Sequence, residues 1–450
     1  MTHLENALIV GSGAREHAMA SALVRNSDIE LHAAMAVDNP GIARISESVT
    51  RTESDAGAII EQCRKHRVQF SLIGPEKPLE QGLTNALVEA GIPCASPTRE
   101  AARIETNKGF MRTLMRRYGI PGSVDALETS LLSEAMEFCE RHHWQVAVKP
   151  IGLTSGKGVK VWGDHLHSQG EVTQYISHVL KTRMSGYDEV LIEELLHGQE
   201  FTVHFFSDGT TALPSPAVQD HKRAFDGGQG PNTGGMGSYS DANGLLPFLS
   251  REDYETAVSI GNKIVTAMKQ EGVPFKGVLY GQFMLTSQGP KVVEINARFG
   301  DPEAINTLMV LQSSYADLCR AIIAEELSAE TVRFAPRAIV ARYIVPKGYG
   351  VSPQAGAEVQ VNEHKIRAAG AELFYASCDL KGSANGITTV QTTTSRTLAI
   401  AASGSTIQEA QERTAKAMKH VSGDVYYRRD IASEDSIRAK VEHMFQLRSN

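Results

Sequence analysis

Residues 292–303 read VVEINARFGDPE. Glu294 and Asn296 stand two apart on a predicted strand, so both side chains leave on one face, because strand side chains alternate with period two. Arg298 is next on that face. A carboxylate and an amide oxygen side by side suit Mg²⁺ carried on nucleotide phosphates, since that ion takes hard oxygen ligands and keeps water and phosphate among them. The guanidinium would meet an anionic substrate. The same pair can also be the polar face of an edge strand, and an isolated E-x-N does not decide between the two. The strand closes a predicted hairpin, 276–285 with 291–297. Gln282, twelve residues before Glu294, faces it as either a further metal oxygen or a cross-strand partner.

Upstream, a strand at 146–150 carries Lys149 into the glycine loop 152–158, which holds Gly156, Lys157 and Gly158, and a second strand follows at 159–162. Strand, glycine loop, strand is a flap that covers phosphates. A Walker A loop needs four residues between its glycines, Ser or Thr after the lysine, and a helix. Lys149, flanked by Ala147, Val148 and Pro150, is expected to be buried with a partner. The stretch VLIEELL at 190–196 ends an apolar strand in Glu193, Glu194, Leu195 and Leu196, a linker whose backbone could read an adenine edge, and Glu200 beyond it suits ribose hydroxyls. QDHKR at 219–223 supplies Asp220 and Lys222. The run GPNTGGMG at 230–237 lacks the composition of a flexible linker, and its glycines suggest close backbone approach to a ligand.

The N-terminus reads as strand, glycine turn and helix: apolar residues 7–10, Gly11-Ser12-Gly13, then AREHAMASALVRN. Such a turn offers free N–H groups and the positive end of a helix dipole, with Arg15 adding a charge, so a phosphate would fit at Gly13. A dinucleotide fingerprint wants a third glycine where Glu16 stands, and a turn serving only strand–helix packing is the plain alternative. Strands at 31–37, 68–73 and 92–95, with a helix at 56–66 and another after Pro78, continue the alternation of an open parallel sheet. Glu76 follows the third strand at its carboxyl end, where such sheets keep their ligands. Beyond residue 332 the text is β-rich with a helix at 406–419, a smaller α+β unit, and the tail from Arg428 reads as a solvated face of mixed charge.

With 450 residues, 42% apolar and 22% charged, the chain should form two to four globular domains. A net charge of −7 argues against a nucleic-acid surface. No apolar run reaches a membrane span and no secretory leader opens the sequence, so no membrane partner is expected. Cys63, Cys94, Cys139, Cys319 and Cys378 are scattered without C-x-x-C spacing and read as reduced, buried and cytoplasmic.

Taken in order, REH after the glycine turn, Gly-Pro-Glu, Lys149, GLTSGKGV, IEELLHGQE, QDHKR, GPNTGGMG and EINARFGDPE resemble the ATP-grasp family, and within it the glycinamide ribonucleotide synthetase branch, over nearly the whole chain. The resemblance implies a multidomain fold, α/β and α+β. An N-terminal Rossmann-like domain (1–104) would precede an ATP-grasp core (105–331) with a mobile lid at about 121–195, and a small C-terminal domain (332–450) would follow. It also implies a carbon–nitrogen ligase whose substrates are glycine, 5-phosphoribosylamine and ATP, with Mg²⁺ or Mn²⁺, acting as a monomer or weak homodimer. Lys108 and Lys149 would then hold phosphates, Glu193 to Leu196 adenine, Glu200 ribose, and Glu294 and Asn296 the metal. Arg298 and Asp220 would hold glycine by its two charges, and Gly13, Arg15 and Glu76 would face the phosphoribosylamine. The family pattern is altered at Ala14, at Pro150-Ile151 and near residues 393–395. Rival readings are a ligase using another amine, a nicotinamide-dependent oxidoreductase built on Gly11 and Gly13, and a nucleotide-binding regulator that no longer catalyses.

Overall fold

A computed structural model describes residues 4–25, 27–154 and 158–449. Four parallel strands open the chain, in the order Ser48–Thr50, Ile29–Ala34, Glu5–Val10 and Phe70–Ile73. Leu8, Ile9, Val10, Leu31 and Leu72 are buried because helices cover the sheet, which is why these segments read as continuous apolar runs rather than alternating ones. The helix expected at 56–66 is Ala56–His66. The strand expected at 92–95 is reduced to one parallel bridge between Cys94 and Ser71, since Pro93 has no N–H to extend a ladder.

Helix Arg99–Thr106 passes through Asn107 into helix Lys108–Arg117, and the boundary expected at 104/105 falls inside the first of these. An antiparallel sheet then forms the lid, ordered Ala126–Thr129, Val190–Glu194, Val146–Pro150 and Lys160–Val161. Phe138, Val148, Ile176 and Val190 give it an apolar core separate from the main one. Facing it is a second antiparallel sheet, Ala212–Pro214, Gln199–Asp208, Lys276–Thr286 and Gly289–Asn296.

The third sheet draws on distant parts of the chain. Strands Gln219–Asp220 and Gly237–Ser240 pair onward with Ala338–Pro346, Leu398–Gly404 and Ala371–Tyr375, so one sheet crosses the boundary expected at 331/332. The glycine run does permit close backbone approach, but to the chain itself. A Cβ on Gly237 would lie 2.3 Å from the Ala341 carbonyl oxygen. An outer sheet of Cys378–Ala384, Ile387–Thr392, Glu358–Val361 and Val421–Gly423 completes the C-terminal part. The tail is not simply solvated: Arg428, Ile431 and Met444 are buried, and helix Glu434–Ser449 packs back on the protein. Among the described residues no helix is long and apolar enough to cross a membrane.

Candidate active site

The hairpin strand carrying Glu294 is irregular at the point that matters. Gln282 pairs with Glu294 and Phe283 with Val292, so Val293 is an extra residue, a β-bulge. The bulge turns two carbonyls toward cations. Arg112 donates to Val292 O and Val293 O, both at 3.0 Å, and Lys149 Nζ donates to Val293 O at 3.3 Å. Arg112 and Lys149 also share the Glu193 carboxylate, each at 2.6 Å. Burial pushes Glu193 up, but the Arg112 and Lys149 charges outweigh it and hold the carboxyl down at about 2. One buried ionic cluster thus joins the lid strand to the Glu294 strand. The partner expected for Lys149 is Glu193, whose two oxygens are both engaged.

Glu294 and Asn296 share a face as their spacing predicts, the Asn296 amide donating to Glu294 Oε1 at 3.0 Å. Burial pushes the Glu294 carboxyl up, and the Lys222 charge, the Asn296 bond and the charges of Lys149 and Lys108 more than offset it. Lys108 opens its helix with Nζ on the Gly152 carbonyl at 2.9 Å, and burial pulls its ammonium below the ordinary value. Lys222 Nζ lies 3.0 Å from Glu200, and Gln282 Nε2 donates to the same Glu200 oxygen at 2.6 Å. Gly158 is described, its carbonyl accepting from Tyr175; Gly156 and Lys157 lie outside the described residues.

The linker after the Val190–Glu194 strand is partly engaged by its own sheet. The N–H groups of Glu194 and Leu195 are spent within the lid, on Asp125 O and Gln145 O, both at 3.0 Å, and the Glu194 side chain accepts from Asp125 N.

Arg298 does not continue the Glu294 face, because the strand ends at Asn296. Its side chain turns to the N-terminal part, meeting Glu76 at 3.3 Å and Glu105 at 2.9 Å. Arg298, with Arg15 assisting, holds the Glu76 carboxyl at about 2, whereas burial lifts Glu105 to about 7. Arg15 donates to the Phe299 carbonyl and pairs with Glu16. At the glycine turn, the Gly13 N–H that was expected to face a phosphate donates to Glu16 Oε2 at 2.7 Å, and a Cβ on Gly11 or Gly74 would strike the same carboxylate. Glu16 therefore caps its own helix where a dinucleotide would need room. His17, next in the motif, accepts from Tyr375 N at 2.9 Å and ties this helix to the third sheet.

Asp220 is half-buried with its Oδ1 turned in beside the turn Asp301-Pro302, and desolvation plus the Glu303 charge push its carboxyl well above the usual range. Among the described residues, Asp220 Oδ1 and Gln282 Oε1 are buried without a hydrogen-bond partner. Arg396 reaches in from the connection between Ile387–Thr392 and Leu398–Gly404, donating to the carbonyls of Gly234, Gly235 and Asp301 and to the Asp301 carboxylate at 2.9 Å. Arg112, Glu105 and Arg396 were missed in the sequence. Arg112 alone had a signal there, a charge four residues after Lys108 among Met111, Leu114 and Met115.

The oxygens of Glu294, Asn296 and Gln282 are the hard donors Mg²⁺ takes, and the orphaned Gln282 oxygen is the kind of atom such an ion satisfies. Among the described residues no three His, Cys, Asp or Glu side chains gather as a metal site. An ion here would rest on one carboxylate, amides and the phosphates themselves.

A lid sheet and a second antiparallel sheet, with lysines on one side and a carboxylate–amide pair on the other, define an ATP-grasp protein. The chain belongs to the phosphoribosylglycinamide synthetase family, matching its N domain over residues 5–105, its ATP-grasp (A) domain over 106–304 and its C domain over 339–434. It is 45% identical over 442 residues to the phosphoribosylamine–glycine ligase of Methanothermobacter thermautotrophicus, covering 98% of this chain and 99% of that one. The crystal structure of the phosphoribosylamine–glycine ligase of Thermotoga maritima superposes with a TM-score of 0.78 at 26% identity, covering 95% of this chain and 100% of that one. The fold is shared with the biotin carboxylase of Campylobacter jejuni, at a TM-score of 0.75, 12% identity and 99% coverage of both chains.

Proposed function

We propose that this chain ligates glycine to 5-phosphoribosylamine, converting ATP to ADP and phosphate and giving glycinamide ribonucleotide in purine synthesis. The observation that carries this reading is the pair of buried, unpartnered oxygens, Asp220 Oδ1 and Gln282 Oε1, in a cleft that also gathers Lys108, Lys149, Lys222, Glu294 and Asn296. Such atoms accept a hydrogen-bond donor or a cation from outside, and we assign an ammonium to the first and a metal to the second.

A carboxylate is a poor electrophile until one oxygen becomes a good leaving group. Transfer of the γ-phosphoryl group to the glycine carboxylate supplies it, forming glycyl phosphate. The amine nitrogen then attacks the acyl carbon, phosphate departs, and the nitrogen loses a proton. Lys108 and Lys149 hold the phosphates, and the family motif assigns Gly156, Lys157 and Gly158 to the same nucleotide. Glu193 positions Lys149, while the Glu194–Leu196 segment borders adenine and Glu200 takes ribose. Glu294 and Asn296 would hold Mg²⁺ or Mn²⁺, which would supply positive charge to offset that of the phosphates. Asp220 takes the glycine ammonium, with Lys222 beside it, and Arg298 the carboxylate. Glu76 and Arg15, with the Gly13 turn, face the phosphoribosylamine. We place this activity in the cytoplasm, in a monomer or weak homodimer.

The test is ADP formation with glycine and ATP, with and without phosphoribosylamine. Turnover that requires both supports the reading. Equal turnover with an unrelated amine overturns the acceptor assignment.

A further inference from the structure

Helix Glu434–Ser449 lies, but for its first residue, beyond the stretch matched to the family's C domain. It runs back across the site-bearing elements and is anchored on them. Arg448 grips Asp253 on the long helix Arg251–Gln270 through two bonds of 2.9 and 2.7 Å, and His443 Nδ1 meets Gln199 Nε2 at 2.7 Å. Between these anchors Lys440 points into the protein. Its Nζ donates to Gln219 Oε1 at 2.8 Å, lies 3.0 Å from His221 Nε2, and stands 5.4 Å from the centre of the Tyr239 ring. Gln219 in turn accepts from the Tyr239 hydroxyl and donates to the Glu200 carbonyl at 2.9 Å.

Gln219 and His221 flank Asp220, so by strand alternation they leave on the face opposite to it. Whatever fixes them fixes Asp220 from behind. We infer that Lys440 is a positioning residue for this reaction: it locks the segment carrying Asp220 and, through Gln219, the backbone at Glu200. The inference rests on the roles given above to Asp220 and Glu200. A lysine is a costly choice for packing alone, since burial and the Arg428 charge pull its ammonium down to about 7. An apolar side chain would cover Tyr239 at no such cost.

Lys440→Met keeps the stem and removes the donor. Its melting temperature should equal or exceed that of wild type, because a poorly solvated amine is gone. KM for glycine and Kd for a non-hydrolysable ATP analogue should each rise about tenfold, the worth of one hydrogen bond to an ionised group. Lys440→Gln, which retains an N–H, should fall between wild type and the Met variant, and it carries the test if the Met variant does not fold. Gln219→Leu should reproduce the loss, with no further loss in the double variant, because the two act in series. Wild-type affinities in Lys440→Met, or additive losses in the double variant, overturn the inference. Asp220→Asn and Glu200→Gln, measured alongside, report on the site reading itself: if they leave both affinities unchanged while Lys440→Met weakens them, that reading falls and the Lys440 effect stands.

Discussion

Replacing Gln282 by glutamate sets a carboxylate against two already there. Gln282 donates to Glu200 and is the cross-strand partner of Glu294. Glutamate has nothing to donate, so three carboxylates would crowd Lys222, with the charges of Lys149 and Lys108 acting on Glu294 alone of the three. Two like charges about 4 Å apart repel by about 4 kcal/mol at an effective dielectric of about 20. Glu200 is partly exposed, so solvent screening reduces this to about 2 kcal/mol. Metal-free Gln282→Glu should therefore melt a few degrees below wild type. The same cluster is a stronger cation site. Mn²⁺ at about a hundred times its Kd returns about 2.7 kcal/mol, so the variant should gain more from Mn²⁺ than wild type does. Scanning calorimetry on nucleotide-free protein, in chelator and then in graded Mn²⁺, reads both effects. A variant that melts low in chelator yet gains no more than wild type from Mn²⁺ would show that residue 282 does not face the ion.

Lys149→Met should weaken nucleotide binding by about 1.5–3 kcal/mol, the loss of a charged hydrogen bond, while Arg112 keeps Glu193 paired and limits the fall in melting temperature; a folded variant with unchanged nucleotide affinity refutes the phosphate role. ¹⁸O placed in the glycine carboxylate should appear in released phosphate, and label retained wholly in the amide product sinks the acyl phosphate. Burial lowers His17 to about 4 and His204 to about 3, both below their unfolded value of about 6.5. The unfolded chain thus binds more protons between those values, so stability is full above about pH 6.5 and falls as pH drops toward 4; a melting temperature flat from pH 7 to 4.5 contradicts this. Because burial and Glu303 raise the Asp220 carboxyl, its charged form fades as pH falls. KM for glycine should then rise on acidification, and Asp220→Asn should abolish that dependence in steady-state kinetics.

The strands and helices were legible where one local pattern decided them: Val146–Pro150, Ala56–His66 and the 276–296 hairpin all follow from alternation or helical spacing. So was the sharing of one face by Glu294 and Asn296. The bulge at Val293 was not, since it depends on what Arg112 and Lys149 demand of two carbonyls. Nor were the ion pairs of Arg298 with Glu76 and Glu105, because the strand stops two residues before it. At Gly230–Gly237 close backbone approach was legible, but not that Gly237 meets a strand about a hundred residues on. Glu105, Arg396 and Lys440 act across separations that no periodicity encodes.

The sheet shared by Gly237–Ser240 and Ala338–Pro346 has a consequence for biosynthesis. Gly237 pairs with Arg342, so at about 5–20 residues per second the first strand waits on the order of 5–20 s for its neighbour to be synthesised. During that interval it is an open edge, able to recruit any extended chain nearby. Its four residues limit that hazard without removing it. A nascent chain stalled near residue 330 should accordingly be a holdase client, and one released after residue 404, with Leu398–Gly404 in place, should not.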